Sequence, residues 1–141
     1  MILSDVNVLV YAHRDEAADH ARFHRWLYDA SQGPEPFAIS ESILVSFVRV
    51  VTNPRILRFP TPLQGALDFC DALRNQPGVV TVEPGRHHWQ IFSDLCRRAS
   101  AAGNLVQDAF IAALAIEHNC ELITLDRDFA KFPGLRWRQP F

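Results

Sequence analysis

The sequence predicts an α/β protein whose parallel sheet is covered by helices on both faces. Short apolar segments typical of buried strands alternate along the chain with longer segments whose apolar residues recur at helical spacing. The strand segments are apolar at nearly every position rather than at alternate ones. This pattern is expected for parallel strands that are buried on both faces.

The chain begins with a strand at residues 2–3. The apolar segment 6–11 then continues into a turn of helix. Residues 15–30 are predicted as the next helix, because their apolar side chains recur near one face. Gly33 and Pro34 end this helix.

Residues 37–39 are a short apolar run and a candidate buried strand. Ser40 is a suitable N-cap for the helix that follows, because its hydroxyl can accept a hydrogen bond from a free backbone amide. Apolar residues recur at helical spacing over 43–51, and Asn53 with Pro54 ends the helix.

The next helix begins with Thr61 as cap and Pro62 in the first helical position, and it runs to about residue 75. Residues 79–82 are predicted as a strand because all four are β-branched. A helix over 86–101 follows. It ends before Gly103, which interrupts the helical pattern.

The C-terminal part starts with a strongly apolar helix over residues 105–118. A strand at 122–125 and a single helical turn at 128–132 follow it. A last short strand is predicted at 135–137. Strands therefore alternate with helices to the end of the chain.

Composition narrows the class of protein. The 141 residues, with 48% hydrophobic and 21% charged residues, predict one globular domain over 1–141 that buries roughly 70% of its unfolded surface. A net charge of −2 argues against a general polyanion binder, so any nucleic-acid contact requires a local basic patch. Three cysteines without a C-x-x-C pair argue against a zinc cluster or a disulfide framework. With no signal peptide or membrane-spanning segment evident, a cytoplasmic protein without membrane contact is expected.

Two aspartates follow predicted strands. Asp5 comes after the first strand, and Asp126 comes directly after the strand at 122–125. In a parallel sheet both carboxylates emerge at the same edge, where open α/β sheets bind their ligands. Asn7 and Thr124 stand beside these acids and suit positioning roles around them.

Two further acids are candidates for the same edge. Asp108 lies in a helix that is apolar nearly all round, so a buried carboxylate there needs a partner, and a cation is the strongest one. Capping of backbone amides or pairing with Arg49 are the alternatives. Glu41 follows the strand at 37–39, although the helix dipole alone favours an acid in this first helical turn.

Several carboxylates without nitrogen or sulfur ligands predict a site for Mg²⁺ or Mn²⁺, and such sites serve phosphoryl chemistry. Either Asp126 or Asp128 could cap the short helix at 128–132; Asp128 is better placed for the cap and Asp126 for the strand end, and Asp128 also stays a candidate for a supporting role around the site. Arg49, Arg55 and Arg58 lie around the Asn53-Pro54 turn and could hold phosphates. A solvated face is the alternative.

Four motifs resemble the PIN-domain ribonucleases, and most closely the VapC-type toxins of toxin–antitoxin pairs. They run over the whole chain in a specific order. They are Asp5-x-Asn7, Phe47-Val-Arg49-Val-Val-Thr52-Asn53-Pro54-Arg55, Asp108-Ala-x-Ile-Ala-Ala-Leu-Ala and Thr124-x-Asp126-x-Asp128-Phe-x-x-Phe-Pro-Gly.

The resemblance implies a three-layer α/β/α sandwich with a parallel sheet of four or five strands. It also implies Mg²⁺- or Mn²⁺-dependent endonucleolytic cleavage of RNA, a VapB-type antitoxin partner and a homodimer. Asp5, Asp108 and Asp126 match the metal-site acids. The family's second acid often lies about where Ser46 stands, and Glu41, the only carboxylate in that helix, is assigned this role.

Three alternatives remain open from the sequence. One is a PIN-like binding module that has lost its activity. Another is a haloacid-dehalogenase-type phosphatase, which also begins with an aspartate motif after its first strand. The third is a receiver-like phospho-acceptor domain. The latter two need a lysine late in the chain, and Lys131 is the only lysine.

Overall fold

The structure is a computed structural model that describes residues 1–141. Its five strands form one parallel sheet in the order β3-β2-β1-β4-β5. The strands are β1 (Ile2–Ser4), β2 (Phe37–Ile39), β3 (Val79–Thr81), β4 (Glu121–Ile123) and β5 (Trp137–Arg138). The helices are α1 (Val6–His13), α2 (His20–Gln32), α3 (Glu41–Val51), α4 (Leu63–Arg74), α5 (His88–Ala99) and α6 (Asn104–Glu117), with a 3-10 helix at Arg127–Lys131.

The connections place helices on both faces of the sheet. The sheet grows in one direction from β1 to β2 and β3, and α1 to α4 lie in these two crossovers. The chain then returns through α5 and α6 to β4, on the other side of β1. Because parallel crossovers are right-handed, a reversal of direction puts α5 and α6 on the opposite face. The predicted three-layer α/β/α fold is confirmed.

The core fills both layers around the central strands. Except for the partly exposed Glu121, side chains of β1, β2 and β4 have almost no solvent exposure, and they pack against apolar faces of α1, α3 and α6. The short edge strand β5 and the partly exposed β3 close the sheet at its two sides. No helix has both the length and the apolar character that crossing a bilayer requires.

Three helices begin later than predicted: α2, α4, and α5, which starts at His88 instead of residue 86. Helix α2 begins at His20, five residues later than predicted, because Asp19 adopts a left-handed conformation with φ of 56°. Helix α4 begins at Leu63, after Pro62, and the hydroxyl of Thr61 accepts a hydrogen bond from Arg14 at 3.1 Å instead of capping the helix. Ser40 does precede α3 as predicted, but its hydroxyl bonds to that of Ser42.

Candidate functional site

The candidate site lies where the strand order of the sheet reverses. From β1 the chain proceeds to β2 on one side, and from β4 it proceeds to β5 on the other, so a crevice opens between β1 and β4. A cavity of about 820 Å³ occupies this position. It is lined by Asp5, Val6, Asn7, Val10, Tyr11, Ser46, Arg49, Val50, Ile56, Asn104, Gln107, Asp108, Ile111 and Asp126.

Asp5 is built into the end of β1. Its side chain is buried, and both carboxylate oxygens accept hydrogen bonds. Oδ1 accepts from the backbone amide of Val6 at 2.7 Å and so caps α1. Oδ2 accepts from Asn7 Nδ2 at 2.8 Å and from Thr124 Oγ1 at 2.6 Å. Burial raises the pKa of Asp5 above its ordinary value, although these hydrogen bonds oppose the change.

Asn7 and Thr124 join the ends of the two central strands. Asn7 Nδ2 also donates to Thr124 Oγ1 at 3.2 Å, and Asn7 Oδ1 accepts from the amide of Leu125 at 3.3 Å. Thr124 Oγ1 in turn accepts from the amide of Asp126 at 3.0 Å. This network fixes the position of the Asp5 carboxylate relative to the chain segment that carries Asp126.

Asp126 lines the cavity and also caps the 3-10 helix. Its Oδ1 accepts from the amide of Asp128 at 2.8 Å, so the predicted division of roles, with Asp128 as the cap, is wrong. The cap must precede the helix, and the helix begins one residue earlier than predicted. Asp128 lies outside the cavity lining and forms an ion pair with Lys131 at 2.9 Å.

Asp108 faces the cavity from α6 and accepts no hydrogen bond from the protein. Its pKa is raised to about 6, first by burial and then by the negative charges of Asp126 and Asp5. The expectation of full burial was too strong, because the cavity leaves the side chain half-buried. Arg49 lines the same cavity but forms no ion pair, so neither capping nor pairing with Arg49 satisfies Asp108.

The structure does not bring Glu41 to this cavity, and its assignment to the site is corrected. Its carboxylate pairs with Arg74 at 3.0 Å and borders a separate cavity between α3 and α4. Ser46 lines the acidic cavity instead. Five residues separate the two positions, which corresponds to about 140° around a helix axis. Glu41 therefore lies on another face of α3.

Sequence reasoning missed part of the cavity wall. Asn104 and Gln107 precede Asp108 by four and one residues on α6, and the four-residue spacing is the signal that could have indicated Asn104. The apolar side chains of Val10 and Tyr11 carried no signal, because they look like ordinary core residues. Arg55 lies outside the lining and is exposed, with its backbone amide bonded to Asn53 Oδ1 at 2.9 Å.

The acidic side chains that could bind a metal in this cavity offer carboxylate oxygen atoms, and oxygen ligands suit a hard divalent cation. Both oxygens of Asp108 and Oδ2 of Asp126 accept no protein hydrogen bond, so they are free to bind. The carboxylates are near enough for the charges of Asp126 and Asp5 to raise the pKa of Asp108. In this arrangement the acids do not converge closely enough to hold an ion by themselves, so water would complete the coordination.

Known proteins resemble this chain in sequence and in fold. Residues 2–135 match the PIN domain family. Ribonuclease VapC43 of Mycobacterium tuberculosis is 42% identical over 140 residues, which cover 99% of this chain and 95% of that protein. Ribonuclease VapC25 of the same organism is 38% identical, with 99% of each chain covered.

Two solved structures show the same fold at low sequence identity. VapBC2 from Rickettsia felis, bound to a DNA fragment from its promoter, has a TM-score of 0.74 at 19% identity and covers 99% of this chain and 98% of that chain. VapC20 of Mycobacterium tuberculosis, a Sarcin-Ricin loop cleaving toxin, has a TM-score of 0.66 at 20% identity, with 96% and 99% covered. The matches decide against the phosphatase and receiver alternatives. The chain belongs to the PIN-domain family and, within it, to the VapC ribonucleases.

Proposed function

We propose that this protein is a divalent-metal-dependent endoribonuclease, the toxin of a toxin–antitoxin pair, and that it hydrolyses RNA phosphodiester bonds in the acidic cavity. The observation that carries the proposal is Asp108. It is a carboxylate without any protein hydrogen bond, and it faces Asp5 and Asp126 in a cavity where the strand order reverses. A fold gains nothing from such an acid unless a cation or a substrate neutralises it.

Asp5, Asp108 and Asp126 are the residues that would hold Mg²⁺ or Mn²⁺. Bound there, the cation would neutralise phosphate charge and make a water molecule more acidic. Three acids, without Glu41, form the site in this proposal. The free oxygens of Asp108 and Asp126 and the mutual repulsion of the acids support it.

The remaining residues have positioning and substrate roles in this proposal. Asn7 and Thr124 hold the Asp5 carboxylate in one orientation through their hydrogen bonds to Oδ2. Arg49 faces the cavity without an ion-pair partner, so its guanidinium is available to bind a phosphate oxygen of the RNA. Arg55 lies outside the cavity and is assigned to RNA phosphates farther from the cleaved bond.

The partner proposed for this chain is a VapB-type antitoxin. Structural neighbours include the DNA-bound VapBC from Salmonella typhimurium and a toxin-antitoxin complex from Klebsiella pneumoniae. The homodimer implied by the family resemblance stays a prediction. Light scattering of the purified chain, alone and after coproduction with its antitoxin, would measure both assemblies.

Cleavage of a total-RNA pool by the antitoxin-free protein tests the proposed activity. Discrete fragments are expected with Mg²⁺ or Mn²⁺ and none with EDTA. Asp108→Asn should lower the cleavage rate at least roughly 100-fold, because cation binding contributes several kcal/mol to stabilisation of the transition state. Asp68→Asn is the matched control, since Asp68 is an exposed helical acid outside the cavity.

Three outcomes would contradict the proposal. Full activity of Asp108→Asn would show that the acidic cavity is not the active site, and fragments formed in EDTA would contradict metal dependence. A folded wild-type protein that cleaves no RNA and binds no Mn²⁺ in calorimetry would favour the alternative of an inactive PIN-like binding module.

A further inference from the structure

We propose that His20 and His24, on the first two turns of α2, form a second metal site. This site takes a cation of the Zn²⁺ type rather than the Mg²⁺ or Mn²⁺ proposed for the acidic cavity. Neither histidine lines that cavity, so the site is separate from the one that carries the proposed ribonuclease activity.

The imidazole rings of His20 and His24 lie side by side on one face of the helix. A spacing of four residues brings two side chains onto the same face, with their Cβ atoms roughly 6 Å apart. The ring centroids are 5.6 Å apart, and the ring planes make an angle of 45°. Two imidazoles bound to one tetrahedral ion, each at about 2.0 Å, have their centroids roughly 5 Å apart. Small side-chain rotations therefore bring both rings onto one ion.

His20 has the tautomer that a metal ligand of this kind needs. Its Nδ1 lies 3.0 Å from the carbonyl oxygen of Tyr11, and because a carbonyl oxygen can only accept, Nδ1 carries the proton. In the neutral ring the lone pair is then on Nε2, which has no hydrogen-bond partner in the protein. Metal-binding histidines commonly donate their other ring nitrogen to a backbone carbonyl, which fixes the orientation of the ring. His20 is thus already arranged as a ligand.

His24 is free to close on an ion held by His20. Its side chain is exposed and forms neither a hydrogen bond nor an ion pair with the protein, although its neighbours Arg25 and Asp29 pair with each other. Either ring nitrogen can therefore present a lone pair to a cation. A bound ion displaces no structural contact of this ring, so binding costs the fold no interaction.

The chain segment that leads into α2 is acidic. Residues 15–19 contain three acids and no basic residue. Glu16 pairs with Arg14, but the exposed carboxylate of Asp19, next to His20 in the chain, makes no capping hydrogen bond and no ion pair. Its negative charge offsets the positive end of the helix dipole, which would otherwise disfavour a cation here, and it attracts cations to this end of α2.

The two histidines fill half of the coordination shell of a tetrahedral ion. No third His, Cys, Asp or Glu side chain completes a metal-binding group with them, so water molecules take the remaining positions. Nitrogen ligands select Zn²⁺ and similar ions over Mg²⁺, which prefers oxygen. The result is an open, reversible site, unlike a structural zinc centre that is closed by four protein ligands.

Isothermal titration calorimetry with Zn²⁺, in excess Mg²⁺ that occupies the acidic cavity, tests the site. The wild type should bind one Zn²⁺ per chain. His24→Gln should weaken binding at least roughly ten-fold, because a single imidazole loses the advantage of two linked ligands. His20→Asn should have the same effect, although its amide can still donate to the carbonyl of Tyr11. Zn²⁺ should also raise the unfolding temperature of the wild type and of neither variant.

Two controls separate this site from other sources of Zn²⁺ binding. His87 is also exposed and lies at the start of a helix, but no histidine follows it at a spacing of three or four residues, so His87→Gln should bind as the wild type does. Asp108→Asn, which alters the acidic cavity, should also keep wild-type affinity for Zn²⁺. Wild-type affinity of His24→Gln, loss of Zn²⁺ binding in Asp108→Asn, or no binding by the wild type would overturn the proposal.

Discussion

The carboxylates of Asp5 and Asp108 face the same cavity, but the protein bonds one on both oxygens and the other on neither. Asp5 follows a central strand and accepts three hydrogen bonds, one of which caps α1. Asp108 projects from the second turn of α6 and accepts none. For both groups burial is the largest cause of a raised pKa, but only for Asp5 do hydrogen bonds to the charged form oppose it.

The difference in hydrogen bonding gives the two acids different effects on the stability of the fold. The ionised carboxylate of Asp5 stabilises the fold, because it accepts hydrogen bonds from three protein groups. The charge of Asp108 is a cost to the folded chain that only a ligand from outside can relieve. The structure thus fixes one acid firmly and leaves another free for a ligand.

The largest expected contrast is in stability. Asp5→Asn should lower the free energy of unfolding by about 2 kcal/mol, because an amide group presents a donor to either Val6 or the Asn7 and Thr124 pair and leaves partners unsatisfied. Asp108→Asn should raise it by about 1 kcal/mol, since it removes a repelled charge that solvent partly screens. Urea unfolding at pH 7 in EDTA measures both changes.

Asp68→Asn on α4 provides the baseline for this measurement, because its carboxylate is exposed. The expected sign differs between the two cavity variants, and that sign is the informative result. If Asp108→Asn were as destabilising as Asp5→Asn, then Asp108 would have a structural partner and the proposed division would be wrong.

The sequence predicted the main features of the fold because local signals and tertiary packing agree there. Strand Phe37–Ile39 lies at the predicted residues, and α6 differs by one residue at each end. The start of α2 was wrong because apolar periodicity continued through residues 15–19, whereas Asp19 turns to the left-handed region. Hydrogen bonding between distant segments, such as Arg14 with Thr61, is invisible in a local pattern.

The site was predicted where topology determines position. Asp5 and Asp126 follow neighbouring parallel strands, so strand order alone brings them together. Glu41 also follows a strand, but a residue inside a helix is directed by helical phase, and its phase points to Arg74. The apolar wall was not predicted, because Val10 and Tyr11 look the same in a sequence whether they line a cavity or fill a core.

A smaller effect is expected at Asn7, which bonds Asp5 but not Asp108. Asn7→Ala removes the hydrogen bond to Asp5 and those to Thr124 and Leu125, so it should weaken metal use by loosening the orientation of the Asp5 carboxylate. The Mn²⁺ concentration for half-maximal cleavage should rise about ten-fold, with a small loss of stability.

Asn75→Ala is the control for this variant. Asn75 is the residue at which α4 ends, and it does not line the cavity. A fall in cleavage at saturating Mn²⁺ with no change in half-saturation would show that Asn7 does not act through the metal site. The role proposed for its hydrogen bond to Asp5 would then be wrong.

The smallest expected effect is a pH dependence that isolates Asp108. Its pKa is about 6 in the folded protein and near 3.8 in the unfolded chain, so the folded state binds the proton more tightly. The cost of ionised Asp108 is therefore absent below pH 4, grows between pH 4 and pH 6, and is complete above it. In EDTA the stability advantage of Asp108→Asn over the wild type should follow this course and reach about 1 kcal/mol at pH 7.

Unfolding curves of both proteins from pH 4 to pH 7 measure this advantage. Asp5 is present in both proteins, so the comparison between them isolates Asp108. An advantage of equal size at pH 4 and pH 7 would assign it to packing rather than charge, and the contrast between Asp5 and Asp108 would lose its electrostatic basis.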